Sequence, residues 1–154
     1  MVYSSSGDNF EVCVRAIIRH DNKILVCKSK EKKYYFFPGG HINFGEGAKE
    51  ALLRELKEEL NISIRKTSFI GVIENIYIEE GQRHHEINLV FDIEARKVNE
   101  QSKEDHIDFF LIDIKSFSRQ EVLPIALKKA LLKWLKDKKP FWASQIYHKS
   151  TFTS

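Results

Sequence analysis

The run Val12–Ile18 is mostly β-branched and apolar, and Ile24–Cys27 repeats that character after the polar pair Asp21-Asn22. This pattern predicts two strands around a tight turn. Tyr34-Tyr35-Phe36-Phe37 predicts a short aromatic strand ended by Pro38-Gly39-Gly40. Proline cannot donate to a ladder, and glycine reaches backbone angles closed to other residues. From Gly45 to Leu60 the period changes: Ala48, Leu52, Leu56 and Leu60 recur at four-residue steps among charged positions, which predicts a helix. That helix is expected to stop at Asn61, a residue that tolerates a left-handed helix terminus. Phe69–Ile78 and His85–Ala95 read as strands joined at Gly81. Glu100–Asp105 reads as a polar loop, and His106–Ile114 as a further strand. Leu123, Leu127, Leu131, Leu132 and Leu135 place an amphipathic helix over about 121–136. The rest, to Ser154, is aromatic and polar without a clear period. No repeat or linker interrupts the pattern, so one mixed α/β domain is expected over 1–154, with its core at about 11–136.

Composition agrees with this. The 154 residues are 42% hydrophobic and 31% charged, the composition of one globular domain with a complete core. The net charge of +3 is modest, and six lysines gather at 128, 129, 133, 136, 138 and 139. Their spacing fits the wet side of the last helix better than a nucleic-acid surface. Cys13 and Cys27 sit in apolar strands as buried thiols, without metal-ligand spacing or a disulfide framework. The stretch MVYSSSGDNF has no apolar h-region, and no apolar run reaches the ~18–20 residues of a membrane span. A cytoplasmic location with no membrane partner is the expectation.

The acidic side of the first helix needs an explanation. At ~100° per residue, Glu55, Glu58 and Glu59 fall within an arc of about 100° beside the leucine stripe. Carboxylates at these spacings repel one another, and a multivalent cation would relieve the repulsion. An oxygen-only donor set points to Mg²⁺ or Mn²⁺ rather than zinc. Gly39-Gly40 lets the main chain approach closely enough for a carbonyl to join the carboxylates. Arg54 can pair with Glu46 and tie the preceding loop to the helix.

Read from Gly40, the segment GHINFGEGAKEALLRELKEELNI resembles the Nudix box, G-x5-E-x7-R-E-U-x-E-E-x-G-U, where U is a bulky aliphatic. Gly40, Glu46, Arg54, Glu55, Leu56, Glu58, Glu59 and Ile62 fall on its fixed positions, and Asn61 stands where the pattern has glycine. The resemblance implies an α/β/α sandwich with a mixed β-sheet, and a hydrolase of nucleoside diphosphate derivatives or triphosphates. It implies metal binding by Glu55, Glu58, Glu59 and the Gly40 carbonyl, with Glu46 and Arg54 shaping the loop. The general base is then Glu55, Glu58, or a carboxylate of a later loop, where Glu104 and Asp105 are the candidates. An ordinary solvated loop also accounts for those two.

Other residues are less determined. Arg15, inside an apolar strand, must either face substrate phosphate or sit in an ion pair. Arg83 is a candidate phosphate or ribose contact, and Glu86 a further metal ligand. An exposed hairpin rim explains both as well. Tyr35 is the candidate to stack on a base, while Phe36 and Phe37 suit the core. Trp134, Phe141 and Trp142 are expected to cover the last helix. The expected partner is a small nucleotide, with no nucleic acid, acting on a monomer or homodimer. An ADP-ribose or nucleotide-sugar pyrophosphatase, and a non-catalytic nucleotide-sensing module, are the alternatives.

Overall fold

The computed structural model describes residues 7–99 and 101–146. Strand β1 (Asp8–His20) turns at Asp21-Asn22 into β2 (Lys23–Ser29). Both turn residues have positive φ, 47° and 60°, the left-handed geometry that asparagine and aspartate accept most readily. Next come β3 (Gly39–His41), helix α1 (Ala48–Glu59), β4 (Asn61–Glu79) and β5 (Gln82–Asn99). The chain continues through β6 (Ile107–Asp113), the short α2 (Ile114–Phe117), α3 (Ile125–Asp137) and β7 (Phe141–Gln145).

The strands form one mixed sheet in the order β6-β2-β1-β5-β4-β7, with β3 also paired to β1. The β1–β5 and β4–β7 pairs are parallel and the others antiparallel. Alternation along β1 divides its side chains between two cores. Val14, Ala16 and Ile18 pack on Ala51, Leu52, Leu56 and Leu60 at α1. Ile17 faces the other way, toward Phe117, Leu127, Leu131 and Trp134 of α2 and α3. The result is an α/β/α sandwich, as expected.

Several boundaries differ from the sequence reading. The aromatic segment 34–37 is not a strand: Phe36 makes a single bridge to Cys27, and Tyr35 pairs with the lead-in to α3 through Glu121 and Leu123. The strand lies instead on the glycines, whose lack of side chains lets β3 press against β1. Asn61 is not a left-handed helix terminus. The helix ends at Leu60 in extended backbone (φ −134°), and Asn61 begins β4 opposite Asn99. The β4–β5 hairpin is longer at its open end than its apolar runs suggested, because residues 61–68, polar apart from Ile62 and Ile64, continue the ladder through bulges. Ile114 begins α2 rather than ending β6, and α3 starts at Ile125, after Pro124 at its N-cap in extended backbone. β7 was not anticipated. It adds parallel to β4, with Phe141 packed against the core and Trp142 68% exposed. Trp134 is buried as part of α3 itself and Phe141 packs against the same core, whereas Trp142 stands mostly in solvent.

Candidate functional site

Helix α1 carries its carboxylates across a gradient of burial. Leu52 and Leu56 anchor it on the sheet, and the next positions round the helix are Glu55 and Glu59. Glu59 is only 7% exposed, Glu55 is half-buried, and Glu58 stands in solvent. The first-helix stripe therefore enters the protein at its C-terminal end.

Two glycines make room for it. In β3, Gly40 pairs with Val14 and Gly39 with Arg15. A Cβ on Gly40 would lie 2.4 Å from the Glu55 carboxyl group. A Cβ on Gly39 would lie 1.9 Å from the Val14 carbonyl oxygen, and Gly39 has φ +154°. Arg54 then ties this strand to the helix. Its Nε donates to Glu46 at 2.7 Å and a terminal nitrogen to the same carboxylate at 3.0 Å. Further donations reach the His41 carbonyl at 3.0 Å, Glu55 at 3.0 Å and Glu58 at 3.4 Å. This guanidinium holds the Glu46 carboxyl below the usual carboxylate range. Glu46 also accepts the Asn43 N–H, closing the loop before α1.

The electrostatic centre of the cluster is Glu59. Burial pushes its pKa up to about 8, with the Glu55 and Glu104 carboxylates adding to the rise and Arg15 opposing it. The loop bearing Glu104 is pinned here, since the Lys103 N–H donates to the Glu59 carbonyl at 3.0 Å and Lys103 Nζ to the Lys57 carbonyl at 2.9 Å. Glu104 also lies 3.3 Å from His106 Nε2. A raised carboxyl pKa stabilises the fold fully below the unfolded value, and this contribution disappears as pH rises through the folded value. In chelator, stability is therefore expected to fall between pH ~4.5 and ~8. About 1.4 kcal/mol per pH unit sets a ceiling of about 5 kcal/mol. Urea unfolding across that range measures it, and Glu59→Gln should flatten the profile.

Beside the cluster, on the α3 side of the sheet, lies a cavity of about 710 Å³. Its floor is Arg15, Asn75, Glu86 and Asn88, and its walls include Tyr34, Phe36, Tyr77, His106, Pro124 and Leu127. Arg15 donates to Asn88 Oδ1 at 3.0 Å and stands 3.6 Å from Glu86, so an ion pair and an open face coexist at one guanidinium. Arg15 on this floor is the same cation that opposes the rise of the Glu59 pKa. Asn75 Oδ1 is buried there without a hydrogen-bond partner.

Not every expected substrate contact reaches this cavity. Arg83 donates to Asp8 at 2.6 Å on the rim, away from the lining. Tyr35 packs edge-on against Phe110, with Lys28 over its ring, while its neighbour Tyr34 lines the cavity. Asn75, Tyr77 and Asn88 were missed by sequence reading. The available signal was the one that marked Arg15: polar side chains at alternate positions of otherwise apolar strands.

A model of the NUDIX domain matches residues 9–138. Over 87 residues the chain is 36% identical to an ADP-ribose pyrophosphatase of Methanocaldococcus jannaschii, covering 54% of this chain and 50% of that protein. Over 59 residues it is 41% identical to an 8-oxo-dGTP diphosphatase of Buchnera aphidicola, covering 38% and 48%. The chain thus spans about half the length of each of these relatives. A MutT protein from Bacillus halodurans has the same fold, with a TM-score of 0.72 at 16% identity over 91% of this chain and 92% of that one. With the family match covering most of its length, the chain belongs to the Nudix family.

Proposed function

We propose that this chain hydrolyses a pyrophosphate linkage in a small nucleotide, using Mg²⁺ at the α1 carboxylates. The observation that carries the reading is the buried Glu59 carboxyl group beside Glu55. Burying a carboxyl group next to a second, half-buried one is costly without a cation, and the raised Glu59 pKa expresses that cost. The donors fit a hard ion: oxygens of Glu55, Glu58 and Glu59 would hold it together with the Gly40 carbonyl, beside a strand that has no Cβ at that point. Mn²⁺ would fit the same oxygens.

When bound, Mg²⁺ neutralises phosphate oxygens and favours deprotonation of the attacking water. The chain's own groups do the rest. Arg15 presents its open face to a phosphate from the cavity floor, while Asn88 and Glu86 fix its orientation. Arg54, held by Glu46, positions Glu55 and Glu58. The water oxygen bonds to phosphorus, its proton passes to a carboxylate, and the bridging oxygen leaves with the other phosphate. Glu104, on the pinned loop beside Glu59, is our preferred proton acceptor, with Glu55 and Glu58 as the alternatives. The aromatic walls suit a base and ribose, and the volume lies within the range of small-molecule sites.

Of the two relatives described above, one is named for ADP-ribose and the other for an oxidised nucleoside triphosphate. A panel containing ADP-ribose, nucleotide sugars, 8-oxo-dGTP and ordinary nucleoside triphosphates, with product analysis, separates the two classes. Nucleoside monophosphate with a phosphosugar marks the first, and nucleoside monophosphate with pyrophosphate marks the second. Tight binding of a nucleotide without turnover would identify a sensing module instead. Among the described residues no helix is long and apolar enough to cross a membrane. We take the substrate to be a free nucleotide rather than nucleic acid.

A further inference from the structure

A second group of ligating side chains lies outside the α1 carboxylates. In the parallel β1–β5 pairing Glu11 stands opposite Glu86, and in the β1–β3 pairing Cys13 stands opposite His41. Glu11 and Cys13 are two residues apart and share a face of β1, so both cross-strand partners converge on one patch. One donor atom from each of Glu11, Cys13, His41 and Glu86 lies within 4.8 Å of all the others.

We propose that these four residues form a binding site for a zinc-class divalent cation, distinct from the Mg²⁺ site. The donor set decides the class. Imidazole and thiolate favour zinc over Mg²⁺, and two carboxylates complete a four-coordinate shell. Metal–donor distances of about 2.0–2.3 Å place tetrahedral donors about 3.3–3.8 Å apart, so no two of these donors need approach by more than about 1.5 Å. Its supporting contacts are those of a ligand shell. Tyr77 donates to Glu86 at 3.1 Å and Asn88 at 3.2 Å, orienting that carboxylate from behind. Glu11 is 3.0 Å from His41 Nε2. His84 Nδ1 is buried without a hydrogen-bond partner, 3.8 Å from the same Glu11 oxygen. Cys13 is fully buried, but His41 is 60% exposed and gives the ion a way in. On coordination the Cys13 thiol releases its proton to solvent and the sulfur binds as thiolate.

The test is a Co²⁺ titration of chelator-stripped protein, with a non-thiol reductant and excess Mg²⁺ present. The expected result is a saturable near-ultraviolet thiolate-to-cobalt charge-transfer band that Zn²⁺ abolishes by displacement. Cys13→Ser should remove the band. His41→Ala, a change at an exposed position, should weaken Zn²⁺ binding by about 10-fold or more. Glu58→Gln should leave both intact. Absence of the band in the unmodified protein would overturn the proposal. So would its persistence in Cys13→Ser, unchanged Zn²⁺ affinity in His41→Ala, or loss of the site in Glu58→Gln. None of these readouts depends on hydrolytic activity, so this site and the proposed reaction stand or fall separately.

Discussion

Glu59→Gln is expected to lower turnover by about 10²–10³-fold, the scale on which removing one preorganised electrostatic contact slows a reaction. The substitution keeps shape and burial but removes the charge that would hold a cation between Glu59 and Glu55. Metal-free stability should move the opposite way. Glu59 resists ionisation because it is buried beside Glu55, with Glu104 adding to the effect. The amide has no charge to bury, so above pH ~5 the variant should be the more stable protein in chelator. Steady-state kinetics with Mg²⁺ and urea unfolding in chelator check the two halves. Loss of activity together with loss of stability would mean that Glu59 serves packing rather than the reaction.

Gly39→Ala and Gly40→Ala should separate fold from function at adjacent positions. At Gly39 the new methyl would overlap a main-chain carbonyl of β1 and require a backbone angle that L-residues avoid. Neither can move without breaking the β1–β3 pairing, so a loss of about 3 kcal/mol or more is expected. At Gly40 the methyl meets only the end of the Glu55 side chain, which can swing aside. Stability should change by about 1 kcal/mol or less. Turnover should still fall by at least 10-fold, because Glu55 leaves its place beside Glu59. Thermal unfolding and kcat on both variants make the comparison. Equal stability losses would show that the Gly40 contact is structural only.

What was legible in the sequence is what local spacing encodes. Four-residue apolar steps located α1, and the same spacing placed Glu55, Glu58 and Glu59 on one stripe. Arg54 and Glu46 could be matched because both lie within one helix and its loop. The cavity was less legible because it is assembled across strands: Arg15, Asn75, Glu86 and Asn88 come from β1, β4 and β5, and register alone brings them together. Arg83 and Tyr35 show the same limit. One is turned to Asp8 and the other to Phe110 by tertiary contacts that no local period reports. β7 was hidden because, among the described residues, its five residues pair with β4, far earlier in the chain. Asn61 was assigned to a helix end by its residue type, whereas the long β4–β5 ladder draws it into a strand.

In the proposed function, the α1 carboxylates support Mg²⁺-dependent hydrolysis of a nucleotide pyrophosphate. The most direct measurement is nucleoside monophosphate release by chelator-stripped protein from the best substrate of the panel, followed through stepwise addition of Mg²⁺. No release is expected in EDTA, and saturable recovery with Mg²⁺ is the behaviour the proposed site requires. Turnover that persists in EDTA, or a panel in which no pyrophosphate is cleaved at any Mg²⁺ concentration, would contradict it.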